Sequence, residues 1–489
     1  MHVRVFLSAR VIAASSASSS AFSFSSLFDG DEKESSASGG ASSSTSDITE
    51  RPDGTFQQPL LDAEDWFLSK QEITASRGGV PRTDLSVYTT GNKVTSYTAS
   101  NEFYSAVYDD LSATKEGDHV MLAAWLTALV PLKPDVDPTG AKTGIKEVFA
   151  GVVERGGNVS VLNWASIAGG YIPFNIKARD AINSIPPSKS TGARATFLFD
   201  DRVNMIASHH QKTLVIASSR SLGKTDQPVA TAIRDGGGIT YKNKGWVDGH
   251  IRIHGPTAKD QSVQITRTFN CEYKHYKEFA PKGENSLFHA RIKAIKNAKN
   301  FIYIEDQYFV LVPELLDALM EVMPRIQRVI VVTKEQTNAF TNGGYPDKFE
   351  IYTTKADRKL LIHSKIVIID DVYLSIGSAN WNRRSMTADS ELNADVVDTD
   401  TVKSPDGVMV GKLPRDFRVR KFSEMTGLSY KKITTMTFTK AADQFAIAAA
   451  KKSTIIAPLK SEHHAYFIAI TDAKRKIADP QYTCIATSS

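Results

Sequence analysis

The sequence predicts an α/β protein made of two fused halves, each a mixed sheet flanked by helices, the two related by pseudo-twofold symmetry. Two observations carry this. Stretches with helical spacing alternate with short apolar runs of strand length, the pattern of sheets covered by helices. A second pattern occurs twice: Ser208-His-His-Gln-Lys-Thr-Leu-Val-Ile-Ala217 and Leu361-Ile-His-Ser-Lys-Ile-Val-Ile-Ile-Asp370 each set His-x-Lys before a mostly apolar run, 153 residues apart. A duplicated unit whose copies meet face to face accounts for the recurrence.

In order along the chain, residues 1–27 read as a secretory signal peptide: a basic start, an apolar stretch over Phe6–Ala14 interrupted by Arg10, then small residues. No acid precedes Asp29, which makes an organelle transit peptide the alternative. Residues 28–58 are rich in Ser, Ala and Gly and bury too little apolar surface to offset ordering, so they read as a disordered linker. Residues 59–270 form the first half and 271–489 the second, ending in a helical tail. In the first half the spacing predicts a helix over Glu102–Leu111 and strands at His119–Trp125, Asn158–Asn163 and Ala195–Phe199. In the second it predicts a helix over Leu287–Asn300, a strand from Phe301, a helix over Pro313–Val322, a strand over Arg328–Thr333 and a late helix over Ala441–Ala450.

Composition is that of an ordinary globular chain of 489 residues, 41% hydrophobic and 23% charged. The net charge of +5 suits a protein that handles phosphates, but no dense basic, aromatic-studded stretch marks a nucleic-acid interface. No run of about 18 apolar residues is present to span a membrane. Two cysteines exclude a cysteine-rich metal site, and Cys271 and Cys484 can pair only if the fold joins them. No metal is expected: His209 beside His210 has no further ligands at useful spacing.

The chemistry concentrates around His363. Strand alternation puts His363 and Lys365 on one face, an imidazole that can attack phosphorus or move a proton beside an ammonium that stabilises phosphate charge. Asp370 closes the run. Val372-Tyr-Leu-Ser-Ile-Gly-Ser-Ala-Asn380 then forms a second strand, where Gly377 permits close approach and Ser378 and Asn380 offer short polar groups to phosphate oxygens. Asp389-Ser-Glu391 follows with carboxylates able to fix a histidine tautomer.

His-x-Lys-x4-Asp followed by Gly-Ser-x-Asn resembles the signature of the phospholipase D superfamily. Ile376-Gly-Ser-Ala-Asn-Trp-Asn-Arg-Arg-Ser-Met386, Tyr303-Ile-Glu-Asp-Gln-Tyr-Phe309, Trp246-Val-Asp-Gly-His250 and Gly91-Asn-Lys-Val94 resemble stretches of its eukaryotic-type members, so the likeness spans residues 60–400. It implies a short, secreted phospholipase D-like phosphodiesterase that needs no cofactor. Such an enzyme cleaves a glycerophospholipid such as phosphatidylcholine to phosphatidic acid and choline at a membrane surface. The resemblance implies His210 as nucleophile, forming a phosphohistidine, and His363 as acid and then base. It assigns Lys212, Lys365, Ser378 and Asn380 to the phosphate, Asp370 to bracing its motif, and Glu391 to one of the two histidines. Both halves belong to one chain, so a monomer suffices for the site.

The first half departs from the pattern twice. Ala217 stands where the second half has Asp370, and between Ala217 and Trp246 no counterpart of the Gly-Ser-x-Asn strand is visible. A catalytically inactive lipid-binding or interaction protein is therefore the alternative function.

Overall fold

The computed structural model describes residues 3–6, 55–165, 172–201, 203, 207–217, 245–255, 261–269, 279–309, 312–336, 345 and 347–459. The first half begins with β1 (Val3–Phe6), followed by helices α1 (Ala63–Trp66) and α2 (Lys70–Ser76). It continues through β2 (Thr89–Tyr97), α3 (Ser100–Ser112), β3 (His119–Ala124), α4 (Ile145–Glu154), β4 (Asn158–Trp164), α5 (Pro173–Asn183), β5 (Ala195–Asp200) and β6 (Lys212–Ala217). Next come β7 (Gly245–Val247), β8 (His250–Gly255), β9 (Gln261–Thr268), α6 (Ser286–Asn297), β10 (Phe301–Phe309), α7 (Pro313–Val322), β11 (Arg328–Gln336) and β12 (Phe349–Thr354). The chain then runs through β13 (Leu360–Ile362), β14 (Lys365–Ile369), β15 (Tyr373–Gly377), α8 (Arg383–Thr387) and β16 (Glu391–Asp398). After these, β17 (Thr401–Lys403) and β18 (Met409–Gly411) pair with each other, and α9 (Lys412–Thr426), α10 (Tyr430–Thr434), α11 (Phe438–Ala450) and β19 (Ile456–Pro458) follow.

One sheet joins the two halves in the order β19-β12-β11-β10-β14-β15-β16-β9-β2-β8-β1-β6-β3-β4-β5. Outward from the β9–β2 junction the two arms match position for position: β16, β15, β14, β10, β11, β12 on one side and β8, β1, β6, β3, β4, β5 on the other. In each arm three strands run parallel and the His-x-Lys strand, β14 or β6, lies antiparallel to the first of them. β14 and β15 lie inside the sheet with both faces covered, and they are buried at every position, Lys365 and Ser375 included.

In the second half, α6 and α7 cover one face with help from Trp66 and Phe67, and α9 and α11 cover the other through Phe417, Phe422, Phe438 and Phe445. Proline at the first turn of α7 starts that helix without wasting a backbone donor. In the first half, α3, α4 and α5 pack against Val120, Val159, Val161, Phe197 and Ile216. Among the described residues the opposite face of that arm is open at Met121 and Leu198, which are 37% and 60% exposed.

The strand that the sequence lacks in the first half has a substitute. The slot matching β15, between β6 and β8, holds β1, antiparallel to both, with Val5 opposite Val215 and Ile253. Pairing satisfies the facing edges of β6 and β8, which would otherwise present unpaired backbone groups. The expected leader thus contributes a strand at Val3–Phe6. The rest of it, the linker up to residue 54, residues 218–244, Cys271, Cys484 and His463–His464 lie outside the described residues.

Candidate active site

The second His-x-Lys pair sits at the start of β14. His363 Nδ1 donates to Asp248 Oδ2 at 3.0 Å, and the two residues are 7% and 4% exposed. A carboxylate there fixes the proton on Nδ1 and leaves Nε2 for chemistry. The pairing is built by backbone: β13 runs parallel to β7, and the His363 amide donates to the Val247 carbonyl at 2.9 Å. Lys365 donates to the His363 carbonyl and, at 3.4 Å, to Gln307 Oε1. Burial lowers its pKa, with Asp248, Asp306 and Glu391 opposing.

The first pair repeats the arrangement with a carboxylate from the other half. His210 Nδ1 donates to Glu391 Oε1 at 2.9 Å. Reciprocal backbone bonds, His210 N to the Ser390 carbonyl at 3.0 Å and Ser390 N to the Ser208 carbonyl at 2.9 Å, hold the two segments in register. Asp389 fixes the approach by accepting from Ser208 N at 2.8 Å and from Arg384 at 2.7 Å. Lys212, 1% exposed, donates to the His210 carbonyl at 2.6 Å, the same bond that Lys365 makes to His363.

Burial lowers the pKa of His210 and the charge of Lys212 adds to it, while Glu391 opposes, so the imidazole is neutral at neutral pH. Burial also brings Lys212 down to about 7, with Lys365 repelling it and Glu391 attracting it. An arriving phosphate favours its ammonium form. Burial would raise Glu391, but His210, Lys212 and the Ser378 hydroxyl outweigh it and hold the carboxylate at about 2. Because Lys365 acts on both His210 and Lys212, and Asp248 acts on Lys212, the two pairs form one electrostatic unit.

Asp370 stands apart from this cluster. It accepts from the amides of Lys299, Asn300 and Phe301 at 2.6, 2.8 and 2.8 Å, tying the end of β14 to the start of β10. Burial raises its pKa to about 6. The matching turn before β3 needs no such brace: Gly117 N donates to the Gly156 carbonyl at 3.0 Å and Asp118 N to the Lys115 carbonyl at 3.1 Å. Ala217 therefore leaves no orphaned amide at either position.

Ser378 and Asn380 differ in what they can offer a phosphate. The Ser378 hydroxyl donates to Glu391 and so orients the carboxylate behind His210. Asn380, 4% exposed, keeps its Oδ1 without a protein partner among the described residues. Gly377 is required, since a Cβ would lie 1.7 Å from Asn393 Oδ1. His209 is occupied by Asp200, at 2.7 Å. Among the described residues no group of acids, histidines or cysteines is arranged to hold a metal ion, and no helix is long and apolar enough to cross a membrane.

Sequence reasoning missed Asp248. The structure supplies the His363 carboxylate from the segment before β8. The signal available in the sequence was the stretch Trp246-Val-Asp-Gly-His250, which carries Asp248 just before β8.

Fold and site together define an α/β protein in which two His-Lys pairs, each with a carboxylate on the histidine Nδ1, meet in one site. A family model described as cardiolipin synthase, PLD-like domain, matches residues 292–407. The major cardiolipin synthase ClsA of Bacillus subtilis is 27% identical over 216 residues, 38% of this chain and 44% of that one. Phospholipase D1 of Mus musculus is 27% identical over 243 residues, 36% of this chain and 22% of that one. Among solved structures, phosphatidylserine synthase of Haemophilus influenzae aligns over 63% of this chain and 82% of its own, with a TM-score of 0.41 and 12% identity. The chain spans less than half the length of the curated relatives it matches. The part of the chain that the family model matches, residues 292–407, belongs to the phospholipase D superfamily.

Proposed function

We propose that this chain breaks a phosphodiester in glycerophospholipids by a two-step, phosphohistidine route. The observation that carries the proposal is that both histidines keep a carboxylate on Nδ1, Glu391 for His210 and Asp248 for His363, despite Ala217 and the shortened first half. His210 Nε2 attacks phosphorus while His363 gives its Nε2 proton to the departing alcohol oxygen, so the phosphorus–oxygen bond to the head group breaks as the phosphorus–nitrogen bond forms. His363, now neutral, takes a proton from water or a second alcohol, which attacks phosphorus and frees His210. Lys212 and Lys365 hold the phosphate oxygens as their charge grows.

Phosphatidylcholine with water as acceptor is the substrate pair we propose, giving phosphatidic acid and choline. Transfer to a second phospholipid alcohol is the other reading, favoured by the family model and the Bacillus relative, both named for cardiolipin synthase. The test incubates the full-length chain with vesicles of phosphatidylcholine, or of phosphatidylglycerol, with and without ethanol, beside a His363→Ala control. Phosphatidylethanol from the parent and not from the control is expected, and cardiolipin from phosphatidylglycerol selects the transfer reading. A folded parent inert in every arm overturns the proposal in favour of a lipid-binding role.

A further inference from the structure

Behind His363, and outside the groups just assigned to chemistry, lies a buried ionic cluster. Lys421, on α9, is 0% exposed. Its ammonium contacts Glu305 Oε1 at 2.8 Å and Glu424 Oε2 at 2.7 Å, and donates to the Asp248 carbonyl at 3.1 Å. Glu305, on β10 and also 0% exposed, accepts from the Tyr303 hydroxyl at 2.8 Å and from the Ser364 hydroxyl. Ser364, the residue between His363 and Lys365, also reaches the Val247 carbonyl at 3.0 Å. One cation thus touches the backbone of the residue that orients His363 and, through Glu305, the strand that carries His363.

We propose that Lys421 is a positioning residue for the acid–base histidine: it locks Asp248 against His363 from the side away from substrate. The geometry leaves this ammonium little else to do. It has no solvent contact, and burying an ion is costly unless its partners are well placed. Burial alone would strip its proton, and the charges of Glu305 and Glu424 outweigh that, so it stays an ammonium. The charged groups facing it are Glu305 from β10, Glu424 from its own helix and the Asp248 segment before β8.

Among the described residues the first half has no such device. In the matched registers Lys365 pairs with Asp306 and Ile366 with Glu305, whereas Lys212 pairs with Ala124 and Thr213 with Ala123. Ala123 therefore stands where Glu305 would be, and behind His210 the residue between His and Lys, Gln211, reaches only as far as Ser390 at 2.6 Å. The two histidines are held by unlike means. The one that must donate and then accept a proton is the one whose carboxylate is locked from behind. The kinetic part of this inference rests on the proposed phosphodiesterase function; the structural part does not.

The test reads the tautomer of His363 by nitrogen-15 NMR on histidine-labelled, full-length protein, together with kcat and KM on phosphatidylcholine vesicles. In the parent, neutral His363 is expected to carry its proton on Nδ1. Lys421→Met is expected to give a mixture of tautomers at His363, leave His210 unchanged, and lower kcat at least roughly tenfold with KM within about twofold. Removing one partner of a buried pair can unfold a protein, so Ser364→Ala reads the same network from the strand side at the cost of one hydrogen bond. A folded Lys421→Met or Ser364→Ala protein with His363 in the parental tautomer overturns the inference. If the parent turns over no lipid but the tautomer shifts in both variants, the positioning role holds and the proposed function fails.

Discussion

Asp248→Asn separates the roles of the two histidines. The bond it alters is 3.0 Å long, between groups 7% and 4% exposed, so water does not replace it. Asparagine has the same shape and can still accept from Nδ1 through its amide oxygen, but the charge is gone. A hydrogen bond to a buried charge contributes about 1.5–3 kcal/mol against about 1 kcal/mol for a neutral one. Losing the difference of about 0.5–2 kcal/mol, with the amide turned correctly, costs roughly twofold to thirtyfold in kcat; an amide turned the other way offers a donor to Nδ1, forces the wrong tautomer and costs more. The assay uses two phosphatidyl esters. With a choline leaving group, which needs a proton, Asp248→Asn slows the first step. With p-nitrophenol, which leaves as the anion, that step no longer needs His363, and only attack by water remains slow. Asp248→Asn should then release a burst of one equivalent of p-nitrophenol and accumulate phosphohistidine on His210. Glu391→Gln should give no burst, because it weakens the nucleophile itself. A burst from Glu391→Gln and none from Asp248→Asn reverses the assignment, and identical behaviour of the two variants refutes it.

Glu391→Gln also bears on acid stability. The Glu391 carboxylate is held at about 2 in the fold, below its ordinary value of 4.5. Its stabilising contribution is fully present above 4.5 and lost as pH falls towards 2, so the parent should lose more stability than Glu391→Gln across that window in acid denaturation. Asp370→Ala should act on stability and hardly on rate. It strands three amides, each costing about 1–3 kcal/mol, partly offset by no longer burying the carboxyl. A lowered urea midpoint, with kcat per folded molecule within about threefold, is expected. Gly377→Ala should not fold to the parental state, since its Cβ meets Asn393 Oδ1 at 1.7 Å and Asn393 Cα at 2.7 Å, a backbone contact that cannot swing away. Deleting Val3–Phe6 should speed hydrogen exchange at β6 and β8 amides while leaving β14 and β16 protected, measured by mass spectrometry.

The second half was legible because its signals are local. Apolar runs of strand length gave β10, β11 and β14, the Pro313 start and the 3.6-residue period gave α7, and the run from Lys365 to Asp370 placed its own motif. The bracing role of Asp370 came from the family resemblance, and the three amides it holds became visible only in the fold. Asp248 was not legible for the opposite reason. Nothing near it in sequence needs a carboxylate; its partner is 115 residues away and the two meet only when β7 lies beside β13. Lys421 and Glu305 were hidden by the same rule, since a lysine on a helix and a glutamate in an apolar strand read as ordinary until their common burial is known. The substitute strand was hidden too: four residues far from β6 in sequence carry no local mark of the slot they fill.

The exchange of carboxylates explains why the shortened first half does not by itself dismantle the site. Glu391 comes from the second half to serve His210, and Asp248 from the first to serve His363. Each half therefore depends on the other for orientation, not on its own counterpart of the Gly-Ser-x-Asn strand. What the first half lacks with that strand is an internal sheet partner, and pairing by β1 supplies one. In the proposed mechanism the phosphate is left to Lys212, Lys365 and Asn380, two of them from the second half. Chemistry shared by two histidines tolerates this asymmetry as long as the segments 208–210 with 389–391 and 247–248 with 363–364 keep their backbone bonds, because those bonds, rather than the lost strand, set the geometry of both imidazoles.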